Sequence, residues 1–230
     1  MSPSIRKWIS AGLTVAAAAF FPPALLGGDL SRYRDFQLGM DLTAVEKQAE
    51  MKTSEAKTVH QRPAVIQDLE WRPRGLPGRS GESDPVKDVL LSFYNGKLFR
   101  IVANYDRYRT EGMTAEDMIE AISGSYGLAA KPAAEVLFPS SYSENVKVIA
   151  RWEDSEYSLN LVRSPYQPSF ALILFSKQLD ALAQAAAVAA IRLDAQEAPQ
   201  REAEYARRQA DEVSAKQEKA RLVNKPGFRP

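Results

Sequence analysis

The stretch Val86–Tyr105, VKDVLLSFYNGKLFRIVANY, decides the fold class because it predicts a β-hairpin. Two runs rich in β-branched and aromatic residues flank Asn95-Gly96, a dipeptide typical of two-residue hairpin turns. Apolar residues alternate in both runs, so each strand has a face suited to a core. That face would carry Val89, Leu91 and Phe93 from the first strand, and Phe99, Ile101, Ala103 and Tyr105 from the second. The hairpin indicates an antiparallel sheet.

Two similar helix starts flank the hairpin, LGMDLTAVEK at 38–47 and EGMTAEDMIE at 111–120. Thr43 and Thr114 are the predicted N-caps, and an acidic residue follows each by three positions, the capping-box spacing. In both stretches a Gly-Met pair precedes the helix. We expect the glycines to let the chain turn and the methionines to pack at the base of each helix.

Further strands are predicted at AVIQDLEW, VKVIARW, YSLNLV and FALILF. The predicted order is one helix followed by three strands, and this order occurs twice along the chain. We therefore predict an α+β fold of two tandem α-β-β-β units, 29–110 and 111–176, which share one antiparallel sheet with both helices on one face.

Residues 177–223 predict a long C-terminal helical extension, and 224–230 a tail. The predicted apolar stripe comprises Leu179, Leu182, Ala186, Ala190 and Leu193. Pro199 marks a break or a new first turn. The following segment has a weak seam of small residues, so it is either a solvated single helix or a partner-binding one.

Residues 1–28 resemble a secretory signal, with Arg6 and Lys7 before an uncharged apolar run that ends at Pro22-Pro23. We expect cleavage near Gly27 or Gly28 and a periplasmic or secreted protein. The alternative is an uncleaved N-terminal anchor, which would be the chain's only contact with a membrane.

Composition excludes several function classes. A net charge of +1 gives no general attraction to nucleic acid, so we expect none as a partner. The chain has no Cys and one His, which removes thiolate chemistry, Cys-ligated metals and a two-histidine metal site within one chain. We assign no catalytic residue and no metal ligand, and expect no cofactor.

The helix starts FQLGMDLTAVEKQ and EGMTAEDMIEAISGSYG resemble the helix entry of the SmpA/OmlA (BamE-like) outer-membrane assembly lipoproteins. A tandem of two such units resembles the fold of the secreted β-lactamase-inhibitor protein. The resemblance spans about Tyr33 to Phe175 and excludes the C-terminal helix. The chain departs from the pattern because it lacks the lipobox cysteine, and AEMKTSEAK replaces the usual Gly-x-Pro after the first helix. The resemblance implies a fold and an extracytoplasmic binding role, without any transferable site residue.

One candidate binding surface combines tyrosines and arginines, the residue types enriched in interface hot spots. Its members come from NYDRYRTEG and from the Gly/Pro-rich loop Arg72 to Pro85. The candidate residues are Arg72, Arg74, Arg79, Tyr105, Arg107, Tyr108 and Arg109. The alternative interpretation is a sheet edge with solvated charges.

Three other features have ordinary structural interpretations. His60 could act as a general base, but no nucleophile accompanies it. The acidic run RWEDSEY is typical of a turn rather than a calcium loop. Trp71 and Trp152 are interpreted as packing residues at the edge of the core.

These observations favour an exported, non-enzymatic binding or scaffold protein of the bacterial cell envelope. Its partner would be another protein or an envelope component. One alternative is an inhibitor of a secreted enzyme. The other is a carboxylate-based envelope hydrolase, which would need two acids facing each other across a cleft.

Overall fold

The computed structural model describes residues 28–51, 55–73, 84–132, 134–138, 144–163, 169–227 and 229. The predicted signal before Gly28, and Arg74 and Arg79 of the candidate surface, lie outside these residues. Within the described ranges, no helix combines the length and the apolar character needed to cross a membrane.

The described chain contains three α-helices, ten strands and a short 3-10 turn near its end. The helices are α1 (Leu42–Ala49), α2 (Ala115–Tyr126) and α3 (Lys177–Asn224), and the 3-10 turn is Lys225–Gly227. The strands are β1 (Arg32–Tyr33), β2 (Phe36–Gln37), β3 (Lys57–His60), β4 (Ile66–Trp71), β5 (Val86–Tyr94), β6 (Lys97–Tyr105), β7 (Glu135–Phe138), β8 (Glu144–Glu153), β9 (Tyr157–Arg163) and β10 (Phe170–Ser176). The α+β class predicted from the sequence is confirmed.

Eight of the strands form one antiparallel sheet in the order β3-β4-β5-β6-β10-β9-β8-β7. Strands β6 and β10 are neighbours at its centre, with Val102 opposite Ile173. The strands after α1 and those after α2 therefore extend outward from this central pair in the same internal order.

The predicted count of three strands after each helix is wrong, because four follow each one. The missed strands, β3 and β7, are the two outermost and have only four residues each. Three of the four residues in β3 are exposed, so it carries no periodic apolar pattern.

Both Gly-Met pairs have the predicted local role. Gly39 and Gly112 adopt φ of +87° and +81°, the left-handed region that favours glycine, and Met40 and Met113 pack against the core. Thr114 forms the predicted capping box with Asp117. The predicted Thr43 cap is wrong.

The first helix begins at Leu42, one residue before the predicted cap. Asp41 is its N-cap, and no side chain caps it. Thr43 therefore lies inside the first turn, where its own backbone is already helical. The Thr-x-x-Glu spacing is present, but the helix starts too early for it to act as a box.

The helices α1 and α2 pack on the same face of the sheet, which we call the helix face. Its core includes Leu69, Leu91, Ile101, Leu161 and Leu174 from the strands. The helices add Val45, Ala49, Met118 and Ile122. Trp152 is buried here and donates an indole hydrogen bond to the Gly127 carbonyl.

The central hairpin turns at Asn95-Gly96 as predicted, with positive φ at both residues. One predicted inward residue is wrong. Ser92 pairs with Arg100 and Phe93 with Leu98, so Phe99 is an extra residue in a β-bulge. The bulge reverses the alternation, and Phe99 points to the opposite face, among Ile66 and Ala183.

The third helix packs on that opposite face, which we call the α3 face. Its contact stripe contains Asp180, Ala183, Ala186 and Ala190. The predicted stripe is wrong at Leu182, which is 45% exposed. The helix runs on through Pro199 without a break, and every residue from 199 to 224 is exposed.

A buried ion pair fixes α3 to the sheet. Arg100 of β6 and Asp180 of α3 are each 4% exposed, and Arg100 Nε lies 2.8 Å from Asp180 Oδ1. A second guanidinium nitrogen also contacts this oxygen. The guanidinium lies over the rings of Phe99 and Phe175, and Gln184 donates to the other carboxylate oxygen.

Arg100→Met should lower the free energy of unfolding by about 3–5 kcal/mol, because it leaves a buried carboxylate without its charge partner. The double variant Arg100→Met/Asp180→Leu should lose much less than the sum of the two single changes. Urea unfolding of the four proteins measures this coupling. Arg62→Met, in an exposed pair with Glu197, is the control and should change stability little. Additive losses at Arg100 and Asp180 would contradict the coupling.

Candidate binding groove

A groove of about 860 Å³ lies on the α3 face, between α3 and the β3–β5 side of the sheet. Its floor comes from β4, β5 and β6, and one wall comes from α3. At the edge of the sheet the groove also reaches the end of α1. Its lining residues are Ala49, Glu50, Met51, Glu55, Lys57, Val59, His60, Ile66, Asp68, Glu70, Trp71, Arg72, Pro73, Leu90, Ser92, Phe99, Arg100, Ala183, Gln184 and Ala187. The volume lies within the range of about 300–1,000 Å³ typical of ligand sites.

Strand register explains how the polar floor of the groove assembles. Asp68 is paired with Lys57 of β3 on one side and with Ser92 on the other, and Ser92 is paired with Arg100. Residues directly opposite in antiparallel strands point to the same face, so these four side chains form a row across the sheet. The next row carries Glu70 and Leu90, which are also paired. The floor is therefore polar in one row and mixed in the next.

Asp68 is the distinctive group of this floor. The Ser92 hydroxyl donates to its carboxylate at 2.7 Å. Burial raises the pKa of Asp68 above the ordinary aspartate value, although that hydrogen bond and the charge of Arg100 act in the opposite direction. A carboxyl with a raised pKa in a cleft is a recognised mark of a functional site.

Charges at the rim of the groove are mostly engaged. Arg72, which follows β4 directly, binds Glu70 of that strand, with Nη2 2.7 Å from Oε1. Arg100 is neutralised by Asp180. The walls beside these pairs are apolar, with Ile66, Leu90, Phe99, Ala183 and Ala187 as the main contributors. The arrangement suits a largely apolar ligand with one polar group.

The structure divides the Arg/Tyr surface predicted from the sequence. Arg107, Tyr108 and Arg109 stay together in an exposed bend after β6, where the Arg107 guanidinium stacks on Tyr108 at 4.4 Å. Arg72 instead lines the groove, and Tyr108 and Arg109 line a separate, smaller depression with Asp84 and Asp106. Arg74 and Arg79 lie outside the described residues, so their membership stays a prediction.

Tyr105 does not belong to the exposed bend. It packs against the core of the helix face and is hydrogen-bonded to Tyr33. Burial raises the pKa of both phenols, that of Tyr33 to about 12. The bidentate pair between Arg34 and Asp84, at 2.6 and 2.7 Å, lies nearby. These contacts give Tyr105 a structural role.

The other residues singled out in the sequence, which are His60, Trp71 and the acidic run, have ordinary structural environments. His60 lines the groove from β3, and Trp71 packs edge-on against Phe36 at 5.1 Å while its other side lines the groove. In the acidic run, Asp154 accepts the backbone N–H groups of Glu156 and Tyr157, as the turn interpretation predicts. Among the described residues, no cluster of three or more His, Asp or Glu side chains could hold a metal ion.

Sequence reasoning missed the groove, although a signal for it was present. In IQDLEW, Ile66, Asp68 and Glu70 alternate with Gln67, Leu69 and Trp71. Such a strand is usually interpreted as having one solvated face. The polar face instead lies beneath α3, and only the path of that helix reveals it.

Comparison with known proteins gives little guidance. No protein-family model and no curated protein matches the chain. Among solved structures, a cysteine-rich secretory protein from Staphylococcus aureus is similar, with 6% identity and a TM-score of 0.33. The match covers 62% of this chain and spans less than half, 44%, of that protein. A likeness of this size carries no argument about fold or function.

Asp68→Asn should stabilise the protein at pH 7. Because the folded-state pKa of Asp68 is raised, folding favours the protonated carboxyl. The resulting contribution to the free energy of unfolding is fully present below the unfolded-state pKa of about 3.9, and it is lost as pH rises through the folded-state pKa. Asparagine keeps a partner for Ser92 and carries no charge to desolvate. Urea midpoints from pH 7 down to below about 3.9 should show an advantage for the variant that fades as pH falls.

Asp84→Asn is the matched control with the opposite sign. The hydrogen bonds from Arg34 lower the pKa of Asp84, so its stabilisation is present above the unfolded-state pKa and lost as pH falls through the folded-state value. This variant should be less stable than the wild type at pH 7. An Asp68→Asn protein that is also less stable at pH 7 would contradict the burial cost at Asp68.

Proposed function

We propose that this protein is an exported, non-enzymatic binding protein of the bacterial cell envelope, and that it holds part of its partner in the groove beneath α3. The observation that carries this proposal is the groove itself. It joins apolar walls to a partly buried carboxylate, Asp68, in a volume suited to a ligand. The partner is another protein or an envelope component.

Two features of the chain support the extracytoplasmic part of the proposal. Residues 1–28 have the charge and hydropathy order of a secretory signal. The order of a helix and four strands occurs twice, as a tandem would require, although each half has one strand more than the predicted SmpA/OmlA-like unit. Both the export and the repeated-unit origin stay predictions.

A second candidate is the carboxylate-based envelope hydrolase, because Asp68 has a raised pKa in a cleft. Asp68 and Glu70 lie two residues apart on β4 and therefore both belong to the floor of the groove, whose other acids, Glu50 and Glu55, lie outside the strands. A glycosidase pair would instead face each other across the scissile bond. Hydrolysis of an envelope glycan that Asp68→Asn abolishes would favour this candidate over binding.

The inhibitor of a secreted enzyme is the third hypothesis. Like the first, it concerns a protein partner and differs only in what binding does to that partner. Rate assays on secreted hydrolases with the purified chain would detect it. Unchanged rates across such a panel would remove it and leave the binding proposal in place.

Ala187→Trp tests the main proposal, because it fills the groove from the α3 wall. Ala185→Trp is its matched control: the same substitution on the same helix, at an exposed position outside the groove lining. In pull-downs from an envelope extract, we expect a partner retained by the wild type and by Ala185→Trp to be lost with Ala187→Trp.

The double variant Arg107→Ala/Arg109→Ala separates the groove from the exposed bend. If the partner is lost with this variant and retained with Ala187→Trp, binding occurs at the bend, and the groove proposal is contradicted. Circular dichroism and urea unfolding should show that all three variants remain folded. An unfolded Ala187→Trp protein would be replaced by Ala187→Leu, which narrows the groove less.

A further inference from the structure

The outer half of α3 is a helix without tertiary support. Every residue from 199 to 224 is exposed, and the segment is helical throughout. Most helical stability in proteins comes from packing, and a helix solvated on all sides needs many side-chain pairs. Within the described chain, two ion pairs at helical spacing support this segment, Glu204 with Arg208 and Glu218 with Arg221. The segment therefore has the properties of a helix that packs against a partner.

One stripe along this helix has the spacing of a coiled-coil seam. Alternating steps of four and three residues connect its members, which gives the period of 3.5 residues that two packed helices share. Six of its nine members are apolar, and all nine are exposed. The members of this stripe, which we call the α3 seam, are Ala195, Pro199, Glu202, Ala206, Gln209, Val213, Lys216, Ala220 and Val223.

The α3 seam points away from the body of the protein. The side of α3 that contacts the body continues from the buried Ala190 to Asp194 and Glu197, whose carboxylates bind Arg62. With 3.6 residues per turn, the seam lies about 130° around the helix from this line. A second helix can therefore reach the seam without contact between the bodies of the two molecules.

The polar members of the seam identify the second helix. Glu202 and Lys216 lie seven residues to either side of Gln209. When a second copy of α3 packs antiparallel with a two-fold axis at Gln209, Glu202 of each copy lies near Lys216 of the other. Apolar members also meet apolar members, such as Ala195 and Val223. A parallel pair would instead place glutamate beside glutamate and lysine beside lysine, which is destabilising.

The polar side chains are available for this pairing. The ion pairs that the outer half of α3 forms within the described chain use neither Glu202 nor Lys216. Gln209 donates to the Tyr205 hydroxyl, and it has an amide oxygen and a second N–H for the glutamine of another copy. Each polar group of the seam thus finds its complement on the same surface of a second molecule.

The positions beside the seam are compatible with the antiparallel arrangement. On one side the flanking residues are small or uncharged, namely Gln196, Ala203, Ala210 and Gln217. On the other side, Tyr205 would lie near Glu212 of the second copy and Ala198 near its Lys219. No like charges meet there, and the small residues allow the two helices to approach closely.

We propose that the protein forms an antiparallel homodimer through the α3 seam, with the two-fold axis at Gln209. The contact is isologous, so one surface serves both copies. The seam begins eight residues beyond Ala187, the last α3 residue of the groove lining, so the dimer holds its two grooves at opposite ends. The proposal is independent of what the groove binds. Because small residues bury little apolar area, the dissociation constant should be about micromolar.

Charge exchange tests the partner and its direction by sedimentation equilibrium of the full chain from about 1 to 100 µM. Glu202→Lys places a lysine near Lys216 at both ends of the dimer and should weaken dimerisation about tenfold. The double variant Glu202→Lys/Lys216→Glu exchanges the charges and should restore wild-type dimerisation. A parallel dimer would keep like charges together in the wild type and in both variants, so the exchange would restore nothing.

Asp211→Lys is the matched control, because it makes the same charge reversal on the opposite side of the helix from the seam. It should dimerise as the wild type does. An equal loss with Asp211→Lys would show that only net charge matters and would overturn the proposal. A wild-type protein that stays monomeric at every concentration would also overturn it and would leave the groove proposal unaffected.

Single cysteines locate the two-fold axis, since the chain has no cysteine of its own. A short bismaleimide should join Gln209→Cys into a covalent dimer. It should not join Val223→Cys, whose two thiols would lie about 42 Å apart in the antiparallel dimer. A mixture of Val223→Cys and Ala195→Cys should be joined, because these positions meet. Joining of Val223→Cys alone as readily as Gln209→Cys would contradict the antiparallel dimer.

Discussion

The ion pair between Arg100 and Asp180 is the contact on which the α3 face depends. Most other buried residues of α3 are alanines, which bury little apolar area and would allow the helix to pack in several positions. A buried charge pair has one good geometry, and leaving it costs several kcal/mol. We infer that this pair specifies where α3 lies more than it adds to stability. Since α3 forms one wall of the groove, the pair also sets the width of the site.

The two faces of the sheet accordingly differ in composition. The helix face is a continuous apolar core closed by α1 and α2. The α3 face mixes apolar residues with the row of Asp68, Ser92 and Arg100, and its polar groups are satisfied only in pairs. Polar residues beneath a helix lower stability unless each finds a partner, so their presence calls for an explanation beyond folding.

Local features of this fold follow from the sequence, and the path of α3 does not. Asn95-Gly96 fixes the central hairpin, and Thr114 with Asp117 fixes the start of α2, because both depend on a few adjacent residues. Phe99 was misplaced, since one extra residue in a bulge reverses every inward assignment near it. The groove was missed for a larger reason: Asp68 and Ala187 are far apart in sequence, and only the tertiary packing of α3 brings them to one cavity.

The residues of the exposed bend and those of the groove have different structural explanations. At the bend, Asp106 accepts the backbone N–H groups of Tyr108 and Arg109, and Arg107 stacks on Tyr108, so local folding explains the arrangement. Asp68 has a hydrogen-bond donor in Ser92 and a lysine, Lys57, directly opposite on β3, which account for only part of its environment. Its burial opposes folding at neutral pH, and an asparagine could accept the same hydrogen bond from Ser92 without that cost. A carboxyl that is retained against stability, inside a cavity with apolar walls, is consistent with the proposed binding role of the groove.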